Sequence, residues 1–340
     1  MHDPRAALAA DFIAAQGWQT ADRVTIAGDA SNRRYERLTA QDGATAVLMD
    51  APPDKGEDTR PFVHVTRLLR DVGLSAPAVI AADETAGFLL LEDLGDDLFA
   101  RVLERDATFE TPLYEAAIDV LVHLHSAPCP DLPPYDAATM TPLAALAFDW
   151  YLPGATGTTD PTARSAFATA CARALTPLDS EANVLIQRDY HAENLLWLPD
   201  RQGIARVGLL DYQDAMRGHA AYDLVSILQD ARRDVAPGLA QAMLERYIAA
   251  TGVDRDSFTR AFACLGMQRN MRILGVFARL SMAYGKAHYV DLIPRVWGHL
   301  MASLDHPALC DVAPCIRDAL PEPDAGVLQA LKAKCGSVAL

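Results

Sequence analysis

Gln187-Arg188-Asp189-Tyr190-His191-Ala192-Glu193-Asn194 is followed, 17 residues after Asn194, by Asp211 in Leu209-Leu210-Asp211-Tyr212-Gln213. This order supplies one carboxylate to orient a hydroxyl, one amide oxygen to bind a metal, and a second carboxylate to bind metal beside it. Phosphoryl transfer from a nucleotide asks for those three roles, because the protein contributes mainly positioning and charge neutralisation. Each residue alone reads more simply as a turn or cap residue. In order, between apolar runs, they read as one site. Asp189 would accept a hydrogen bond from an acceptor hydroxyl. Asn194 and Asp211 would offer oxygen atoms to Mg²⁺. Asp211 closes Val207-Gly208-Leu209-Leu210, an apolar strand whose end can present the carboxylate.

Outward from this segment, the N-terminal third alternates short elements. Residues 6–18 pattern as an amphipathic helix ending at Gly17. Strand-like runs come next at 23–27, 34–39 and 44–49, the last two joined through the hairpin signal Asp42-Gly43. A helix over 60–72 closes at Gly73, and Pro77–Ala82 and Phe88–Glu92 read as two further strands. Asp93-Leu94-Gly95-Asp96-Asp97 breaks the pattern and sets a boundary between residues 1–95 and 96–340. Beyond it, helices are expected over 110–126, 142–151, 160–175, 219–230, 236–251, 255–283 and 286–302. Short strands are expected at 184–187, 194–198 and 204–210. The tail after Pro321 carries no clear pattern. The fold class is therefore α+β: a small antiparallel-sheet lobe followed by a larger, mostly helical one.

The chain has 340 residues, 51% of them hydrophobic, enough for two core-bearing lobes. Its 30 Lys and Arg against 45 Asp and Glu give a formal charge of −15, which argues against a nucleic-acid partner. The six cysteines form no Cys-x-x-Cys pair and lie at no metal-binding spacing, as expected of a reduced cytoplasmic protein. No run approaches 18 uncharged apolar residues and the N-terminus lacks a signal-peptide core, so neither a membrane span nor an exported form is expected. A monomer acting on a small molecule is the simplest expectation.

Residues 187–194, 209–214 and 218–228 resemble the aminoglycoside phosphotransferase and choline kinase-like family, a branch of the two-lobed protein-kinase-like fold. Its catalytic segment reads His-Gly-Asp, four residues, then Asn, and its metal aspartate closes a strand. The order strand, strand, strand, helix, strand, strand is also that of a kinase N-lobe. The resemblance implies ATP and Mg²⁺ bound between the lobes, with Asp189 catalytic and Asn194 and Asp211 on the metal. Gly218-His219-Ala220-Ala221-Tyr222-Asp223-Leu224 places Asp223 on the family's structural aspartate, expected to brace backbone amides near the catalytic segment. Within the family, nearly the whole chain resembles the bacterial anomeric sugar kinases. These phosphorylate the C1 hydroxyl of N-acetylmuramate and N-acetylglucosamine in cell-wall recycling. The stretches that carry this likeness are Gly28–Tyr35, Met49-Asp50-Ala51-Pro52-Pro53 and Phe88–Gly95.

Gly28, Ala30, Ser31, Asn32, Arg33 and Arg34 fall between two strands, where backbone amides can approach phosphate oxygens. With one glycine, the stretch by itself equally fits an ordinary hairpin turn. Glu92 to Leu94 would form the hinge that meets the adenine edge through backbone atoms. Two departures from the family stand out. Ala46-Val47-Leu48-Met49-Asp50 carries no third-strand lysine, and 60–72 contains no glutamate to pair with one. Arg33, Arg34 and Lys55 are the cations available to replace that charge. Gln187-Arg188 also stands where the family usually has His-Gly. A nucleotide-binding module without turnover is the alternative that the first departure raises.

Acceptor recognition is thinly encoded. Asp149 and Trp150 precede the catalytic segment, while Arg269 and Arg272 lie on a long later helix. A ring face over Trp150 with hydrogen bonds from the other three would suit an acetylated sugar, and an arginine would suit a lactyl carboxylate. Core packing and surface solvation explain the same residues equally well. His191 and Glu193 lie within the catalytic segment without an assigned role. Choline, homoserine and aminoglycosides remain alternative acceptors.

Overall fold

The computed structural model describes residues 4–26 and 32–338. The chain divides into two compact units, residues 1–120 with 192–215 and residues 121–191 with 216–340. The expected boundary after residue 95 thus falls inside the first unit, and the division itself lies within a helix. Gly28, Ala30 and Ser31 lie outside the described residues.

In chain order the elements are α1 (Pro4–Ala15), β1 (Asp22–Ile26), β2 (Arg34–Thr39), β3 (Thr45–Asp50), α2 (Arg60–Asp71), β4 (Val79–Asp83) and β5 (Phe88–Glu92). Then come α3 (Phe99–Arg105), α4 (Glu110–Ser126), α5 (Ala137–Ala144), α6 (Leu152–Thr156) and α7 (Pro161–Leu175). The short strands β6 (Val184–Ile186), β7 (Leu195–Trp197), β8 (Val207–Leu209) and β9 (Met216–Gly218) flank the catalytic segment in sequence. The rest is helical: α8 (Ala221–Leu228), α9 (Pro237–Thr251), α10 (Arg255–Met282), α11 (Ile293–Leu304), α12 (Ala313–Arg317) and α13 (Ala325–Ala333).

In the first unit, β1 to β5 form one antiparallel sheet in the order β1-β2-β3-β5-β4. The Asp42-Gly43 turn closes with Ala40 and Ala44 hydrogen-bonded at 2.9 Å, and Gly43 takes the left-handed φ of 86° that favours glycine. Side chains alternate across the strands. Leu38, Ala46, Leu48, Phe88 and Leu90 therefore share one face, and they pack against Ala9 and Ile13 of α1. Arg5 lies 3.9 Å over the Phe88 ring and donates to Asp50 at 2.8 Å, tying α1 to β3. On the opposite face Tyr35 stands across from Met49, and Arg37 across from Val47. A second pairing, β7 with β8, joins this unit.

The second unit is mostly helical, built on α10, a helix of 28 residues. Three consecutive polar residues of α10, Gln268, Arg269 and Asn270, are buried. The Gln268 amide donates to the Met140 carbonyl at 3.1 Å, and that of Asn270 to Gln229 at 2.7 Å. The strands β6 and β9 pair within this unit.

Several expected elements take a different form. The helix expected over 142–151 is the end of α5 followed by a π-turn at Ala147–Tyr151. There α10 comes so close that a Cβ on Gly275 would fall 2.3 Å from the Leu146 carbonyl carbon, which leaves little freedom for the path. The helix expected over 286–302 begins only at Ile293, with Pro294 in its first turn, after a 3₁₀ stretch at Ala287–Leu292. The strand expected over 204–210 shortens to β8, because Gly203–Arg206 forms a 3₁₀ turn. The unmarked tail contains α13, whose Leu331 is fully buried. Among the described residues no helix is long and apolar enough to cross a membrane. All six cysteines are free thiols.

Candidate active site

Asp189 belongs to the helical unit. Strand β6 delivers the chain to Gln187, and the carboxylate of Asp223, on α8, fixes the backbone there. Its Oδ2 accepts from the Gln187 backbone N–H at 2.7 Å and its Oδ1 from that of Arg188 at 2.9 Å. Asp223 is fully buried, and burial pushes its carboxyl up to about 7, against the pull of these two N–H groups and of Arg269.

Arg188 has φ of 71°, and the Asp189 N–H bonds back to the Gln187 carbonyl at 2.9 Å. That combination is a γ-turn, a strained form that aims the next side chain. It gives a reason for the family's glycine at this position: φ above zero costs a residue without a Cβ nothing. Here arginine bears the strain, with its guanidinium 5.2 Å from the centre of the Tyr135 ring. Ser226, one turn along α8 from Asp223, donates to the Arg188 carbonyl at 3.3 Å, and the Arg269 guanidinium donates to Ser226 at 2.8 Å.

The Asp189 side chain is half-buried, which works against its charge. Arg269 and Arg272, then His191 and Arg188, outweigh that cost and hold the carboxyl below the usual aspartate range. Asp189 is therefore an anion at neutral pH, able to accept a hydrogen bond. His191 is buried, with Nε2 3.3 Å from the Arg232 guanidinium. Burial and then Arg232 push its ring down to about 4, against Asp230 and Asp189, so it is neutral at pH 7. Arg272 approaches the Tyr222 hydroxyl at 3.5 Å, which in turn lies 3.3 Å from that of Tyr135.

Asn194 and Asp211 belong to the sheet-bearing unit, at the ends of the β7–β8 hairpin. The Leu210 N–H donates to the Asn194 carbonyl at 2.9 Å, bringing the two side chains together: Asn194 Nδ2 lies 3.4 Å from Asp211 Oδ2. Gln213 donates to Asp211 Oδ1 at 2.8 Å. Asp211 has φ of 57°, strained for a non-glycine residue. The adjacent Tyr212 is fully buried, stacks on Phe62 of α2 at 5.1 Å, and meets the Thr66 hydroxyl at 2.7 Å. An amide and a carboxylate side by side offer hard oxygen donors, which fits Mg²⁺.

The remaining expected residues are dispersed. Asp149 lies in the π-turn, exposed, with its carboxylate taken by Arg164 at 2.7 Å; Trp150 beside it is half-buried. Glu193 is exposed. In the first unit, Asn32 donates its N–H to Glu57 at 2.9 Å, and Arg33 binds the same carboxylate at 2.9 Å. Arg34 is exposed. The Glu92 carboxylate receives Arg201 at 2.6 Å and the Ala78 N–H at 3.0 Å, so its side chain is committed to the fold; Leu94 is half-buried. Sequence reading missed Ser226, Gln213, Tyr212 and Glu57. Ser226 could have been found from its spacing, three residues beyond Asp223 on one helix. Glu57 carried no such signal.

The phosphotransferase enzyme family profile matches residues 22–258. The N-acetylmuramate/N-acetylglucosamine kinase of Caulobacter vibrioides is 39% identical, over 91% of this chain and 94% of that protein. The enzyme of the same name from Pseudomonas aeruginosa is 32% identical, over 85% of this chain and 87% of that one. Among solved structures, a choline kinase from Streptococcus pneumoniae superposes with a TM-score of 0.62 at 14% identity, over 88% of this chain and all of that one, a likeness of fold. The chain belongs to the phosphotransferase enzyme family, and is a small-molecule kinase.

Proposed function

We propose that the chain transfers the γ-phosphoryl group of Mg·ATP to the C1 hydroxyl of N-acetylmuramate and N-acetylglucosamine. The observation that carries the acceptor is the identity of 39%, over nearly the full length of both chains, to a kinase named for those two sugars. Asp189 accepts the hydrogen bond of the acceptor hydroxyl and aims it at the γ-phosphorus. The acceptor oxygen–phosphorus bond forms, the bond from phosphorus to the β,γ-bridging oxygen breaks, ADP leaves, and the hydroxyl proton passes to Asp189. Asn194 and Asp211 would hold magnesium, whose chemistry is to neutralise the phosphate oxygens. The half-buried Arg272 suits the lactyl carboxylate of N-acetylmuramate. Arg269 is more deeply buried and serves to hold Ser226.

³¹P NMR of the protein with Mg·ATP tests this against N-acetylglucosamine, N-acetylmuramate, glucose, choline, homoserine and kanamycin. The expected result is a sugar phosphate signal coupled to the anomeric proton, absent with Asp189→Asn. Phosphate on another acceptor would overturn the sugar and keep the residues. No turnover with any acceptor, while ATP still binds, would overturn the kinase chemistry.

A further inference from the structure

Strand β3 has no lysine and α2 contains no glutamate, so no lysine–glutamate pair can tie that helix to that strand. Helix α2 is tied instead to the segment that carries Asp211. Thr66 is 2% exposed, and its hydroxyl shares a 2.7 Å hydrogen bond with that of the fully buried Tyr212. Phe62 lies four residues before Thr66, on the same face of the helix, and stacks on the Tyr212 ring with centroids 5.1 Å apart. The turn that follows α2 reaches the other side of Asp211. There the Ser75 carbonyl accepts from the Leu209 N–H at 3.0 Å, and the Ser75 hydroxyl donates to the Ala205 carbonyl at 2.7 Å. Residues 62–75 thus grip the chain two positions before Asp211 and one position after it, all within one unit.

Asp211 needs such a grip. Its φ of 57° is a conformation that a residue with a Cβ keeps only where its surroundings hold it. The stack on Phe62 sets the plane of the Tyr212 ring, and the hydroxyl bond sets its far end. Packing alone asks for neither hydroxyl, because valine and phenylalanine fill nearly the same volumes with no polar atom to satisfy. A directional bond between two buried hydroxyls therefore adds position, not bulk.

We propose that Thr66 is a positioning residue for the metal site: through Tyr212 it holds the Asp211 carboxylate where that group binds magnesium. The inference rests on the kinase reading above and deepens its magnesium site. Thr66 acts through Tyr212, not on the metal. The alternative is that the two hydroxyls only satisfy each other in the core.

Mn²⁺ can stand in for magnesium, since both take hard oxygen donors, and EPR of the free ion reads its binding to the protein with ADP against ADP alone. Thr66→Val keeps the shape and loses the hydroxyl. Its Mn²⁺ affinity is expected to fall about 10-fold, the lower end of the range for a group that supports a metal ligand. Half-saturation of turnover by magnesium should rise in parallel. Thr66→Ser keeps the hydroxyl and should bind Mn²⁺ like the parent. Tyr212→Phe removes the other half of the bond and should match Thr66→Val, and the double variant should lose no more than either single one. If Thr66→Val does not fold, Tyr212→Phe, which keeps the ring on Phe62, decides alone. Parent-like Mn²⁺ affinity in folded Thr66→Val or Tyr212→Phe, even with a lower urea midpoint, would overturn the proposal. A loss in Thr66→Ser equal to that in Thr66→Val would do the same. Asp211→Asn tests the site itself: if it binds Mn²⁺ like the parent, or the parent binds none, the magnesium reading falls together with this proposal. Binding that depends on Asp211 and is unchanged in Thr66→Val removes this proposal alone.

Discussion

Asp189 and the Asn194–Asp211 pair lie close in sequence but are held by different physics. Asp189 is positioned by buried polar groups: an aspartate gripping two backbone N–H groups, a serine on the next carbonyl, and an arginine on the serine. Asn194 and Asp211 are positioned by a hairpin and by apolar packing, with Tyr212 stacked against α2. The first arrangement controls charge as well as place, since its arginines keep Asp189 ionised. The second fixes place through strand pairing and packing. On the roles proposed above, a base needs a tuned proton affinity and metal ligands a fixed separation, and the two surroundings differ in the way those tasks would ask.

Exchanging the carboxylates for amides gives the largest test of this contrast. Asp189→Asn is expected to lower turnover about 10²-fold or more, the usual scale of losing a general base, with unchanged magnesium requirement. Asp211→Asn should also cost turnover, but with half-saturation by magnesium raised at least about 10-fold, because a directly bound donor is lost. Steady-state rates across a magnesium series distinguish them. A raised magnesium requirement in Asp189→Asn would break the assignment of roles.

The second test weakens the brace. Asp223→Asn retains one oxygen for two N–H groups, leaving a buried donor unmatched at about 1–3 kcal/mol. Urea unfolding should show that loss, and turnover should fall while magnesium half-saturation stays put. Stability equal to the parent's would mean that the brace contributes nothing net.

The smallest effect concerns pH. The ordinary value of 6.5 for His191 is lowered to about 4 in the fold. Its contribution is therefore complete above 6.5 and drains away as pH falls toward 4, because the unfolded chain takes up the proton first. Thermal melts at about pH 7.5 and about pH 5 should show a larger drop for the parent than for His191→Gln, as proton linkage requires. Equal drops would place the acid sensitivity elsewhere.

Local signals were legible and distant ones were not. Gly17, Gly43 and Gly73 marked turns and helix ends because each takes a positive φ that other residues resist. Asp189, Asn194, Asp211 and Asp223 were legible because a short loop and a hairpin fix their spacing. Strand β9 is three residues long and pairs with β6 at a distance in sequence, so no local pattern marks it. Partnerships were hidden for the same reason. Glu92 is taken by Arg201, 109 positions away, and Asp149 by Arg164, 15 away; in both cases the side chain serves the fold. The third-strand gap was visible in sequence, but the pairing of Arg33 with Glu57 depends on how the 52–57 loop returns to β2.

The arginine at the γ-turn has a consequence for any substitution there. Once a side chain is installed at Arg188, its cation over Tyr135 becomes part of what shapes the loop. Arg188→Gly would relax the backbone and empty that place at the same stroke. A change to glycine there therefore carries both a gain and a loss.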